Sequence, residues 1–274
     1  MDNNAKLRPL YLAKILYERT DEDHYLTTMQ LAQILEEEYG IPAHRQTIKT
    51  DIELLQQFGM DIQEVKSTQN RYNLISRQFE IAELKLLIDA VQSSKFISKE
   101  RSEQMVSKIV TLAGQHKAEE LKRNASVEGR VKSENRQDLL IVDAINEAIN
   151  ARKKIAFQYF AYNIRKQKKL RHDGERYIFS PYRLIWNGDY YYVLGYSDKH
   201  QAIGSFRVDR ISARPDILSE EAVPVPADFG VDDFLATTFR MYGSECQEVE
   251  LICDNSVIDA IIDRFGTDVT IYAL

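Results

Sequence analysis

Cysteine occurs twice in 274 residues, at Cys246 and Cys253, too few for a disulfide framework and without the paired C-x-x-C spacing of a zinc site. Both read as buried thiols. No apolar run approaches the roughly 20 residues that span a bilayer, and the polar Met1–Lys6 segment lacks the apolar core of a signal peptide, so a cytoplasmic chain with no membrane partner is expected. The five histidines (His24, His44, His116, His172 and His200) lie apart without metal-ligand spacing. No G-x-S-x-G elbow, P-loop or dinucleotide glycine pattern occurs, so the expectation is no catalytic residue, no cofactor, no metal and no enzyme. Internal repeats and low-complexity tracts are also absent.

What is present is an ordinary globular composition, 44% hydrophobic and 28% charged, in a chain long enough for two or three domains. Net charge is −6, but it is unevenly spread. Residues 1–76 hold eight Lys and Arg against twelve Asp and Glu, a balance of −4. The balance is +2 over 77–134, +5 over 135–220 and −9 over 221–274. An acidic N-terminal quarter weighs against nucleic-acid binding there, although Glu36–Glu38 and Asp21–Asp23 can lie away from a duplex.

Leu12, Ile15 and Leu16 share one face of a predicted helix from about Leu7 to Arg19, with Pro9 tolerable in its first turn. Thr27 and Gln30 have capping-box spacing ahead of Leu31, Ile34 and Leu35, which predicts a second helix ending at Gly40. A third begins near His44, carries Ile48, Ile52 and Leu55, and stops at Gly59. Ile62–Val65 and Tyr72–Ile75 read as a hairpin around Ser67-Thr68-Gln69-Asn70, a wing. Helices are then expected over Ile81–Ser93 and Lys99–Gln115, a polar linker over Lys117–Asn135, and a helix over Asp138–Ala151. Strands follow at Ile155–Tyr162, Tyr177–Trp186, Tyr190–Ser197 and Ala202–Val208, with a hairpin turn at Asn187-Gly188. The closing segment offers a strand at Glu248–Cys253, a helix at Ser256–Phe265 and a strand beginning at Val269–Tyr272.

In a helix-turn-helix the second helix of the motif enters the major groove, so its apolar face must hold it to the core while polar side chains face base edges. With Ile48, Ile52 and Leu55 assigned inward, Arg45, Gln46, Thr47, Lys49 and Thr50 remain near the N-terminal end. Arg and Lys donate to guanine, Gln pairs with adenine, and Thr bonds or touches a thymine methyl. Lys66 and Arg71 flank the wing turn, where phosphates would lie. The plainer reading is a small helical domain with solvated cations.

His44-Arg45-Gln46-Thr47-Ile48-Lys49-Thr50-Asp51-Ile52-Glu53-Leu54-Leu55 resembles the recognition helix of DeoR/WYL-type regulators, Ser-Arg-Arg-Thr-Val-x-Arg-Asp-Ile-x-x-Leu, departing at His44, Gln46 and Thr50. Downstream, Pro181-Tyr182-Arg183-Leu184, Tyr190 to Tyr196 and Phe206-Arg207-Val208-Asp209-Arg210-Ile211 follow the order of a WYL domain, whose Trp-Tyr-Leu falls on Tyr191-Tyr192-Val193. The resemblance implies an α+β chain: a winged helix-turn-helix over 1–76, a helical linker over 77–134, an Sm-like β-barrel (WYL) domain over 135–220, and a partial α/β C-terminal extension over 221–274. Asp263-Arg264-Phe265-Gly266 resembles the start of such extensions, which usually run on, so the chain is either short or a fragment.

The implied function is transcription regulation by a bacterial homodimer that binds double-stranded operator DNA and senses an effector in the barrel. Arg183, Arg207 and Arg210 with Tyr159, Tyr182 and Tyr192 suit a nucleotide-like or single-stranded nucleic-acid effector through charge, bidentate bonds and stacking. An ion pair with Asp209 is the competing reading for Arg207 and Arg210. The run Arg165-Lys166-Gln167-Lys168-Lys169-Leu170-Arg171 reads first as a solvated hairpin, with phosphate contact the alternative. A second functional reading is a non-regulatory nucleic-acid-binding module, its barrel holding RNA or single strands and its N-terminal unit serving assembly.

Overall fold

The computed structural model describes residues 3–66, 68–123, 132–133, 137–227, 229–230, 234 and 250–272. The chain divides into two compact units, Met1–Val225 and Pro226–Leu274. Helix and sheet are mixed in an α+β arrangement.

The chain opens with three helices, α1 (Asn3–Arg19), α2 (Thr28–Tyr39) and α3 (Arg45–Gln57). Starting at Asn3 rather than Leu7 puts Pro9 beyond the first turn of α1, where it withholds an N–H from the helix ladder. The Thr27 hydroxyl accepts from the Gln30 N–H at 3.2 Å while the Gln30 side chain accepts from the Thr27 N–H at 2.8 Å, the reciprocal cap expected from the spacing. Gly40 ends α2 at φ 66°, a conformation that costs glycine little. Strands β1 (Leu26–Thr27), β2 (Ile62–Val65) and β3 (Arg71–Leu74) pair antiparallel in the order β1-β3-β2. Leu12, Ile15, Leu16, Leu31, Leu35, Ile48, Ile52 and Leu55 form one core with Tyr72 and Leu74 of the hairpin.

A second core joins α4 (Ile81–Ser93), α5 (Lys99–Thr111) and α6 (Gly114–Arg123) through Leu84, Ile88, Val110, Ala113 and Leu121. Here the linker expected from Lys117 is corrected: Lys117–Arg123 is helical, because Leu121 is buried among the apolar faces of α4 and α5. One buried leucine among charged neighbours is too thin a period to announce a helix. Residues 124–131, 134 and 135 of that stretch lie outside the described residues, as does residue 136 beyond it.

Helix α7 (Asp138–Ala151) packs on a five-stranded antiparallel sheet of β4 (Lys153–Phe157), β7 (Tyr177–Asn187), β8 (Tyr190–Ser197), β9 (Ala202–Arg207) and β10 (Asp216–Glu221), in the order β10-β4-β7-β8-β9. Beside it stands a two-stranded ribbon, β5 (Phe160–Tyr162) and β6 (Lys168–Leu170). The long strand expected over Ile155–Tyr162 is thus broken at Gln158 into β4 and β5. The core is Ile141, Ile145, Ala148, Ile155, Phe157, Phe179 and Val193, with Phe96 reaching in from the α4–α5 connection. Gly195 is crowded here: a Cβ would lie 2.2 Å from the Ser180 carbonyl oxygen and 2.7 Å from the Phe179 ring.

The expected barrel is also corrected. Among the described residues no closed barrel forms, since β9 and β10 stand at opposite edges of the sheet without pairing. A tight helical turn, Val208–Arg210, interrupts the chain after β9, and the Arg207 N–H donates to the Tyr159 hydroxyl at 3.2 Å instead of a strand carbonyl. A lone bridge between Tyr159 and Ile211 is the only sheet pairing the described residues show there.

In the second unit the Asp254 carboxylate accepts from the Ser256 N–H at 2.9 Å, opening a short helical turn at Asn255–Val257 that leads into α8 (Ile258–Phe265). Residues 250–253 and 269–272 are not strands, which corrects both expected strands of this segment; residues 248 and 249 lie outside the described residues. Strands need ladder partners, and none is formed by the described residues of this unit. Cys253 is exposed rather than buried, and Cys246 lies outside the described residues.

Candidate nucleic-acid interface and ligand site

Helix α3 divides as a groove-reading helix must. Ile48, Ile52 and Leu55 are buried, Arg45, Gln46 and Thr50 are exposed, and Thr47 and Lys49 are half-buried. The Thr50 hydroxyl donates to the Gln46 carbonyl at 3.1 Å, leaving its lone pairs as acceptors. Lys49 stands 3.9 Å from Glu53 in an exposed pair worth little. Sequence reasoning missed Asp51: it is buried beneath α3 and accepts from both Arg8 Nε and Nη2, tying α3 to α1. Its position two residues past Lys49, on the same side as Ile48 and Ile52, was the available signal.

Lys66 is exposed just past β2. Arg71 opens β3 and is exposed, its guanidinium 4.3 Å from the centre of the Tyr25 ring. Ser67 lies outside the described residues.

The expected effector residues separate into two groups. Cross-strand register pairs Tyr192 with Arg207 and with Ile185, and Leu194 with Arg183, so Arg183, Tyr192 and Arg207 share one face of the sheet. Arg207 donates to both Asp209 oxygens, at 3.0 and 2.8 Å, and lies 3.4 Å above the Tyr190 ring centre. Burial alone would lower its pKa, but the two hydrogen bonds to the Asp209 carboxylate and its charge outweigh that and raise it above the ordinary arginine value. The competing ion-pair reading therefore describes Arg207. For Arg210 and Arg183, no carboxylate among the described residues lies within ion-pair reach.

The tyrosines differ from one another. Tyr159 is buried, its hydroxyl taken up by the Arg207 N–H and pushed to a pKa of about 12 by burial. Tyr182 marks the bulge in β7 and its hydroxyl donates to the Pro224 carbonyl at 3.2 Å, so it is directed away from Arg207. Tyr192 is nearly buried between its neighbours.

Asp138, which the sequence did not single out, sits at the start of α7 with Oδ1 lacking a hydrogen-bond partner. Burial, then the charge of Asp209, raises its pKa from 3.8 to about 7, with Lys168 opposing. It thereby links the ribbon to the Arg207–Asp209 pair. A small cleft of about 160 Å³ lies at the ribbon's root between Phe160, Lys168, Leu170 and Ser212. A larger cavity of about 360 Å³ lies elsewhere, beside Ile75, Arg77, Phe79 and Lys117.

His24 and His116, far apart in sequence, stack with ring centres 3.7 Å apart, so the histidines are less scattered than their spacing implied. Among the described residues no group of three His, Cys, Asp or Glu is placed to hold a metal ion. No helix of the described residues is long and apolar enough to cross a membrane.

No curated protein matches the chain. Among solved structures it is similar to Proteasome accessory factor B/C (PafBC) of Arthrobacter aurescens, at 17% identity with a TM-score of 0.28, too low to support a shared fold. The match covers 82% of this chain and 34% of that one, so the chain spans about a third of that protein's length. Residues 141–214 match the family model described as the WYL domain. The comparisons thus show a WYL domain over 141–214, the stretch that carries Tyr159, Tyr182, Arg183, Tyr192, Arg207 and Arg210.

Proposed function

We propose that the chain is a transcriptional regulator of the WYL type, a winged helix-turn-helix over 1–76 binding operator DNA and the WYL domain binding an effector that modulates it. The observation that carries this reading is the division of α3, an apolar face locked into the core by Ile48, Ile52, Leu55 and the Asp51–Arg8 pair beneath an outward row of Arg45, Gln46, Lys49 and Thr50. The WYL match supports the regulatory part. In this reading a homodimer in the cytoplasm sets two α3 helices in successive major grooves of a palindromic site, about one helical turn apart.

In the WYL domain, Arg210 and Arg183 are the cations offered to an anionic, nucleotide-like or single-stranded ligand, while Arg207 is held by Asp209 and Tyr190 as a fixed wall. Ligand then favours one arrangement of the DNA-binding units over another, which needs a coupling of only about 1–3 kcal/mol. The test is selection of bound duplexes from a random pool by the full chain, repeated with Arg183 and Arg210 changed to Ala. A palindromic motif whose half-sites survive the double change supports the reading. Absence of any motif, with single strands still held through those arginines, favours the non-regulatory module.

A further inference from the structure

We infer that the β5–β6 ribbon is a second duplex-binding element, one that inserts between phosphate rows without reading sequence. Five cations, Arg165, Lys166, Lys168, Lys169 and Arg171, fall within its turn, its second strand and the residue that follows, and all are exposed. None pairs with a carboxylate among the described residues. Elsewhere in the same domain five cations are paired, Lys154 with Asp198 and Glu220, Lys199 with Glu175, Arg176 with Asp216, Arg207 with Asp209 and Arg214 with Glu147, while Arg183 and Arg210 stand apart from any carboxylate among the described residues. The ribbon therefore concentrates five cations outside ion-pair reach within seven residues, 165–171.

Its geometry favours a groove. The register pairs Tyr162 with Lys168 and Ala161 with Lys169, so successive lysines point to opposite faces. Cations on both faces fit a slot walled by two strands of phosphate better than a single strand lying on one side. The major groove admits a two-stranded ribbon of this kind. The tip is pre-formed: the Asn163 side chain accepts from the Arg165 and Gln167 N–H groups at 2.9 and 3.0 Å, and the Lys166 N–H donates to the Asn163 carbonyl at 2.9 Å. That turn holds Ile164 fully exposed beside Arg165 and Lys166.

The charge distribution gives such an element a purpose. Residues 1–76 carry −4, so α3 works from an acidic unit with little general attraction for phosphate. The ribbon supplies five positive charges from another part of the chain, among them Lys168, which lies in the field of a buried carboxyl, that of Asp138. It binds duplex whether or not α3 recognises a site.

The test is binding of the full chain to a duplex of arbitrary sequence over a range of salt, comparing the native chain with one carrying Lys166→Gln, Lys168→Gln and Lys169→Gln. Circular dichroism checks that the fold is kept, and Arg165→Gln with Arg171→Gln gives an independent second variant. Each cation that meets a phosphate contributes about 0.9 to the salt slope, so the triple change is expected to lower it by close to 3 and the affinity by at least about tenfold. The same loss is expected when Arg45 and Lys49 are both Ala, which separates the ribbon from α3. A chain that selects no operator yet shows this loss fails the reading above and keeps this one. An unchanged slope overturns the ribbon proposal. So does a loss confined to single strands, or one confined to vesicles containing phosphatidylserine.

Discussion

Asp51 carries an ionised group into the core beneath a helix that otherwise presents Ile48, Ile52 and Leu55, and it survives there because Arg8 donates to both of its oxygens. Removing one member of such a pair strands the other, at a cost of about 3 kcal/mol. Asp51→Ala is therefore expected to lower the unfolding free energy measured by denaturant titration by that amount. Pairing it with Arg8→Ala should cost clearly less than the sum of the two single changes. Asp138 behaves differently, since burial and Asp209 raise its pKa to about 7. A carboxyl raised in the folded state holds extra proton there, so its stabilisation is full below about pH 4 and is lost as pH rises through 7. Asp138→Asn is expected to flatten the fall in Tm between pH 4 and 7 and to be the more stable protein at pH 8. A native slope in the variant would show that Asp138 does not titrate this way. The sequence placed Asp51 on the buried face of α3 but did not name Arg8 as its partner, and nothing in the helix pattern of Asp138 showed what would cover it.

At the scale of elements, legibility followed the strength of the local signal. The Thr27–Gln30 cap, the Ile48–Ile52–Leu55 face and the Asn187-Gly188 turn each encode a hydrogen bond or a buried stripe within a few residues, and each appears in the structure. β1 escaped notice because two residues have no period, and it exists only by pairing with β3. The barrel expected by resemblance stays open because its closing edge is occupied by the Tyr159 hydroxyl and the turn at Val208–Arg210. The pairing of β7 with β8 likewise depends on a contact invisible in sequence, the close approach of Gly195 to the Ser180 carbonyl. Gly195→Ala must push the two strands apart, and a destabilisation of about 3 kcal/mol or failure to fold is expected. Gly204→Ala, with open space for its Cβ, is the control and should unfold near the native midpoint.

Across the whole molecule the first unit has three cores, and a few polar ties join them. Arg77 donates to the Tyr17 and Thr20 carbonyls at 2.7 Å each, the Tyr17 hydroxyl donates to the Leu112 carbonyl at 3.1 Å, and Lys95 meets Asp189 at 2.7 Å. In the proposed function these ties are the contacts through which a ligand in the WYL domain would bias α3. Arg77→Ala is expected to cost about 2 kcal/mol and to speed hydrogen exchange in α1 while the β7–β8 amides keep their protection. Equal loosening of both would mean that the cores unfold as one. The proposed regulatory function depends on α3 reading duplex DNA. The most direct measurement is the affinity of the full chain for its selected duplex and for a scrambled one, with Arg45, Gln46 and Lys49 changed singly to Ala. The account predicts losses of about 1–3 kcal/mol on the selected duplex alone, with relaxed preference at one position for each change. Equal losses on both duplexes, or none on either, would contradict it.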